Sequence, residues 1–275
     1  MRSLITSEWE RLWARKLTWC LFLSMPVVNY AAGRYFLSAN AHTASDLPQY
    51  AVFGNYPVLG FEEMLMTAFN IIVIMLTSLV VTEEYRTGQL RMVMLRAYSF
   101  GQIFLAKAAV IGSIISMLVA VYFICSYAVG YFLFPHTDTV KLFFYEEAVG
   151  HGMALAYNLK FYGLGLLTLL AMIAVTLWIA VVSQTTTTAM GLGIGFYIFS
   201  LLYPLISEYL VHWLGFQLFS RIYFSSIPMI QWQGLVLMLG ESPRYGGYIF
   251  TVIAAYTALF AGLAYRSFTR MDRWV

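Results

Sequence analysis

The chain alternates long apolar runs with short polar breaks. Residues 17–37, 64–81, 103–134, 160–182, 189–206 and 246–266 are such runs. A bilayer-crossing helix needs roughly 20 predominantly apolar residues. The pattern therefore predicts an all-α polytopic membrane protein, a single membrane domain over 1–275 with six transmembrane helices. Ahead of the first run, residues 3–16 place Ile5, Trp9, Leu12 and Trp13 on one helical face. Glu8, Arg11 and Arg15 share another. Ser7 and Glu10 have capping-box spacing. This predicts an interfacial helix in which Trp9, Arg11, Trp13 and Arg15 meet the membrane surface. Pro26 and Asn29 predict a kink and a polar point in the first span. Ala39-Asn40-Ala41 resembles a signal cleavage site, but the apolar part is too long and Arg34 interrupts its far end.

The breaks carry the remaining pattern. Residues 38–62 and 135–158 read as polar outer loops, and Pro135 stops the third run. Thr185 to Thr188 can cap the fifth helix. Residues 207–245 contain a second apolar stretch, 222–239, broken by Pro228, Gln231, Gln233 and Gly234. As a seventh crossing it would separate the basic C-terminus (Arg266, Arg270, Arg273) from the basic N-terminus. It reads instead as a re-entrant or interfacial segment on the outer face. Six crossings leave eleven Lys and Arg inside and five outside (Arg34, Lys141, Lys160, Arg221, Arg244). That excess agrees with the positive-inside rule, with both termini cytoplasmic.

Between spans two and three stands Glu83-Glu84-Tyr85-Arg86-Thr87-Gly88-Gln89-Leu90-Arg91. Charged residues make up 11% of the chain, so four of them here mark a place outside the lipid. A charge at the bilayer centre costs roughly 2.5–3.5 kcal/mol on insertion scales. Leu90, Val93, Met94 and Ala97 recur at helical spacing, with Thr87 as N-cap and Gly88 in a tight turn. A short amphipathic helix within 83–98 follows. Both a solvated loop and a docking element for a soluble partner fit this pattern.

Composition narrows the function classes. The chain is 61% hydrophobic with a net charge of +3, which points to a bilayer and away from nucleic acid. Cys20 and Cys125 lie in apolar runs and read as small hydrophobes. No P-loop occurs, so ATP hydrolysis by this chain alone is not expected, nor is a cofactor of its own. HExxH and GxSxG are absent. The expected spans carry no acid well inside their apolar cores, which argues against a proton- or sodium-coupled carrier. His136, Asp138, Glu146, Glu147 and His151 match no ligand spacing, so no metal site is expected and a solvated loop is the reading. An intramembrane lipid-modifying enzyme built on Glu146, Glu147 and His151 is one alternative function. A non-transporting anchor or sensor that recruits a cytoplasmic partner is another. Gly191 and Gly195 form GxxxG, which serves packing within the fold or between subunits.

The segment from Glu83 to Arg91, continuing through Met92–Ala97 to Gly101-Gln102-Ile103-Phe104-Leu105-Ala106-Lys107, resembles the cytoplasmic segment of ABC-2 type permeases. Gln89 stands where that family more usually has Thr or Ser, and its frequent Pro is missing. The basic, Asp-containing tail 265–274 is also similar. The resemblance implies the membrane subunit of an ABC exporter in a bacterial plasma membrane. Glu83, Glu84, Arg86, Gly88 and Arg91 would then form a coupling helix against two ATPase subunits, which bind the ATP and Mg. The interfacial helix would border them. The resemblance also implies a second permease chain, same or different, packed partly through Gly191 and Gly195. Spans one, two and five would line the path, with Phe69, Met75, Met190, Phe196, Tyr197 and Phe199 as candidates. Such a lining suits amphipathic or hydrophobic cargo such as a peptide antibiotic, a drug or a lipid-like molecule.

Overall fold

The structure is a computed structural model that describes residues 2–87, 99–183, 185–209, 211 and 215–270, and of residues 83–87 the backbone alone. About 81% of it is helical, which makes the fold class all-α. In chain order, α1 (Arg2–Trp13) is followed by α2 (Lys16–Ala39). α3 (Tyr56–Met64) runs through a π-turn (Leu65–Phe69) into α4 (Asn70–Thr87). α5 (Phe100–Leu133) and α6 (His151–Val182) are joined by a loop holding the short antiparallel pair β1 (Thr139–Val140) and β2 (Val149–Gly150). α7 (Thr186–Tyr209) follows. Next come α8 (Phe216–Tyr223), the single turn α9 (Ile227–Met229), a second π-turn (Ile230–Gly234) and α10 (Leu235–Leu239). α11 (Gly246–Thr269) closes the chain.

Among the described residues, five segments are long and apolar enough to cross a membrane: Tyr56–Thr82, Phe100–Leu133, His151–Val182, Thr186–Tyr209 and Gly246–Thr269. A sixth is available if α8 and the helix over Ile227–Leu239, bent by 100°, form one broken span. α2 was expected as the first span and is not among the five. Its 24 residues are long enough, but Pro26, Asn29 and Arg34 dilute its apolar character.

Helix bounds differ from the expected runs where polar residues are absorbed at helix ends. The second helix begins at Tyr56 rather than 64, so Glu62 and Glu63 lie on it and not in the outer loop. The fourth begins at His151 rather than 160 and takes in Lys160. α1 starts at Arg2, so Ser7 and Glu10 sit inside it and form no capping box. A capping box does occur at Ser99 and Gln102, where α5 starts. Thr185 accepts from the Thr188 backbone N–H at 3.2 Å, as the threonine run predicted.

α6 is the central post, with 72% of its most apolar window buried, against 17% for α11. An aromatic cluster joins α3, α5 and α6. Phe61 stacks on Tyr162 with ring centroids 4.0 Å apart, and Phe69 and Tyr122 meet edge to face. Gly165 makes this possible, because a Cβ there would stand 2.7 Å from Phe61 Cε1. Polar pins cross the same core. The Tyr56 hydroxyl donates to Asn29, whose backbone oxygen and Oδ1 lie at 2.7 and 2.8 Å. Asn29 Nδ2 donates to the Tyr122 carbonyl at 3.3 Å. Asn29 is therefore the buried polar point its position in an apolar run predicted.

Candidate functional site

Three levels along the bundle carry polar chemistry. The first is at the end that flanks residues 83–98. Leu4, Glu8 and Leu12 recur every fourth residue and form the buried face of α1. Glu8 is thus turned inward, not out with Arg11 and Arg15 as its charge predicted. Lys107 on α5, 1% exposed, donates to Glu8 Oε2 at 3.2 Å and to the Val80 carbonyl of α4 at 3.4 Å. Arg11 donates to Glu8 Oε1. Burial pushes the Glu8 carboxyl upward, but the charges and hydrogen bonds of Lys107 and Arg11 together overcome this and hold it below its ordinary 4.5. One lysine therefore ties α1, α4 and α5 together. Trp13 stacks on Phe22 at 5.1 Å, and Trp9 and Trp19 pack around it. The aromatic face of α1 therefore also grips α2.

The predicted coupling residues adjoin this joint. Glu83, Glu84 and Arg86 lie on the last turns of α4, which continues unbroken to Thr87. The structure thus carries helix through the residue expected to cap a new one. Gly88, Arg91 and the rest of the expected helix fall outside the described residues.

The second level is halfway along the bundle. Asn70 closes the π-turn of α3–α4, and Gln231 lies in the π-turn between α9 and α10. Their amides pair, Asn70 Nδ2 donating to Gln231 Oε1 at 2.6 Å and Gln231 Nε2 to Asn70 Oδ1 at 3.4 Å. Gln231 Nε2 also reaches Thr168 Oγ1 on α6 at 3.0 Å. All three side chains are fully buried. π-turns waste one backbone hydrogen bond and are frequent at functional sites. Here two face each other. The sequence reading missed this cluster, although Asn70 is a polar residue inside an apolar run, the signal that identified Asn29.

The segment after α7 reaches this depth and returns. Ser226 Oγ donates to the Ser200 carbonyl of α7 at 2.6 Å, and Gln231 meets Asn70. The far end of α10 then comes back to the α5–α6 loop, where the Glu241 backbone N–H donates to the Phe144 carbonyl at 3.1 Å.

The third level is the end holding the α5–α6 loop. A cavity of about 480 Å³ is lined by Glu62, Glu63, Gln49, Phe143, Trp232 and Gln233 among others. Another of about 650 Å³ brings His136, Asp138 and His151 to the rim of an apolar space over Phe123 and Ile124. Glu146 does not line that cavity, its backbone N–H donating instead to Glu241. No group of three or more His, Cys, Asp and Glu among the described residues is placed to hold a metal.

The remaining candidates scatter. Phe69 is core, and Tyr197 is buried with its hydroxyl donating to the Met66 carbonyl. Phe196 packs on Phe260, while Met75 and Met190 are half-buried. Phe199 is exposed. A Cβ at Gly191 or Gly195 would meet nothing among the described residues, whereas one at Gly193 between them would meet Ile74 at 2.8 Å. No curated protein matches the sequence. The family model described as "Protein of unknown function (DUF2705)" matches residues 24–273, and the chain therefore belongs to that family.

Proposed function

We propose that this chain is the permease subunit of an ATP-driven exporter, with six crossings, both termini cytoplasmic, and segment 83–98 as the contact for a separate ATPase. The observation that carries the reading is the joint of Glu8, Lys107 and the Val80 carbonyl. It fixes α4 and α5, the helices on either side of that segment, to each other and to the interfacial helix. A push on the segment would then reach two long helices and α1 together instead of dissipating in a flexible loop. α4 delivers Glu83 and Glu84 on rigid backbone for such a contact, and acidic side chains there suit a basic surface or a helix N-terminus. The face of α7 holding Gly191, Gly195 and Phe199 is the contact for a second permease chain. The cargo is amphipathic or hydrophobic.

The test is affinity capture of the tagged chain from its own membrane in mild detergent, with mass spectrometry of what accompanies it. A P-loop ATPase should be recovered, and Glu83→Ala/Glu84→Ala should lose it while the chain remains in the membrane. Absence of any ATPase after cross-linking would remove the motor and leave a membrane anchor or sensor as the better reading.

A further inference from the structure

The outer cavity beside α3 has features that its surroundings do not explain. Glu62 and Glu63 are consecutive, so their charges repel, yet neither forms an ion pair with any described residue. Among the hydrogen bonds of the described residues, neither carboxylate accepts one. Behind them Tyr157 is 4% exposed, and its hydroxyl has no hydrogen-bond partner. Glu62 is close enough to that hydroxyl for the two to interact electrostatically. A buried hydroxyl without a partner is costly; of the two carboxylates, Glu62 is half-buried and Glu63 is exposed. The opposite wall is aromatic and amide. Phe143 comes from the α5–α6 loop, while Trp232 and Gln233 come from the π-turn that also carries Gln231. Trp232 is 40% exposed, unusual for an indole on a segment otherwise so buried.

Two uncompensated carboxylates at one side of an apolar, aromatic space of about 480 Å³ define a ligand by its chemistry. The charge must be positive. The body must be apolar or aromatic, to fill the space and to lie against the indole face, which attracts a cation. Volume and lining are those of a small-molecule site. An inorganic cation would leave the aromatic wall unused, and the residues here supply too few ligands for one.

We propose that this cavity binds a hydrophobic organic cation, with Glu62 and Glu63 as its counter-charge and Trp232 as its aromatic wall. Trp232 and Gln233 adjoin Gln231, so a ligand against them touches the turn that is latched to Asn70 and Thr168. As a cargo site the cavity rests on the exporter reading. As a binding site it does not, and the test is made on the purified chain without any ATPase.

The probe is tetraphenylphosphonium, with tetraphenylborate as its near-isosteric anion, titrated against the full chain in nanodiscs and followed by tryptophan fluorescence and equilibrium dialysis. With binding to empty nanodiscs of the same lipid subtracted, the cation should bind at least about tenfold more tightly than the anion, since opposite unit charges attract at the effective dielectric of a protein surface. Glu62→Gln/Glu63→Gln should remove that preference. Trp232→Leu should weaken the cation and abolish most of the fluorescence change. Glu146→Gln, a carboxylate outside the cavity, should leave both unchanged. Equal binding of the two ions by the wild type, or a cation affinity indifferent to the double glutamine variant, would overturn the proposal. The comparison of ions on the wild type does not depend on any variant folding. A failure here leaves the capture of an ATPase unaffected, so the two readings fall separately.

Discussion

At the end of the bundle beside residues 83–98, a lysine, a glutamate and an arginine meet in a buried cluster. Halfway along the same helices, two amides and a threonine do so. Both clusters bridge three elements, and α4 takes part in both, through the Val80 carbonyl and the Asn70 side chain. They differ in what burial costs. Ionic groups lose far more hydration than neutral ones, so a charged joint survives only with complete pairing. Glu8 receives Lys107 on one oxygen and Arg11 on the other. Amides need no counter-charge, and a reciprocal pair satisfies itself at any depth. The difference teaches where the chain is built to be rigid and where it can come apart. The ionic joint is costly to break and lies beside the segment proposed to receive force. The amide latch joins the turn that dips into the bundle to the post it leans on, at a cost that one ligand contact could offset.

Removing one ion tests the costly side and should give the largest effect. Lys107→Met leaves Glu8 buried with only Arg11, which is partly exposed. Breaking such a pair from one side typically costs about 3–5 kcal/mol. The loss should appear as a lowered midpoint of thermal unfolding in detergent. Glu8→Leu/Lys107→Met should recover most of it, because apolar replacement of both ions removes the desolvation cost too. A double variant as unstable as the single one would show that α1 is held by its Leu4, Leu12 and tryptophan contacts and not by the ions.

The amide latch should yield less. Gln231→Leu strands the Asn70 amide and Thr168 hydroxyl, at roughly 1–3 kcal/mol. Asn70→Leu/Gln231→Leu should be close to neutral in stability yet free the turn. Hydrogen exchange at residues 227–239 should therefore rise in the double variant while α6 stays protected. Unchanged exchange would mean that Ile230 and Leu235, both fully buried, hold the turn without the latch.

Legibility in the sequence follows the same division. The helical class was readable because apolar length is a one-dimensional signal, and Asn29 because one amide in an apolar run must find a partner. That 222–239 would not form one straight helix was readable from Pro228, Gln231 and Gly234 interrupting an apolar stretch, and the helices there are bent by 100°. Glu8 was misread because a charge on an amphipathic helix is assigned to water unless its partner is known. That partner, Lys107, is 99 residues away. Glu62 and Glu63 were placed outside the second span for the same reason. The pairing of two π-turns through Asn70 and Gln231 spans 161 residues and leaves no periodic trace. Local patterns report which residues share a face, and only the fold reports what that face meets.

Acidification gives the smallest effect and separates the clusters most sharply. Among the described residues, the charged groups facing Glu8 are Lys107 from α5 and Arg11 from α1 itself. Because the folded carboxyl titrates below its ordinary 4.5, its contribution to holding α1 is complete above that value. It is lost as the pH falls through the lower, folded value. Stability of the α1 contact should thus be flat from about pH 8 to about pH 5 and decline only below that. Asn70, Gln231 and Thr168 carry no titrating group, so the latch should show no such decline. Hydrogen exchange of α1 and of residues 227–239, each corrected for its intrinsic rate, reads both regions in one experiment. The α1 decline should vanish in Glu8→Leu/Lys107→Met. If it persists there, protonation elsewhere loosens α1, and the joint does not owe its rigidity to Glu8.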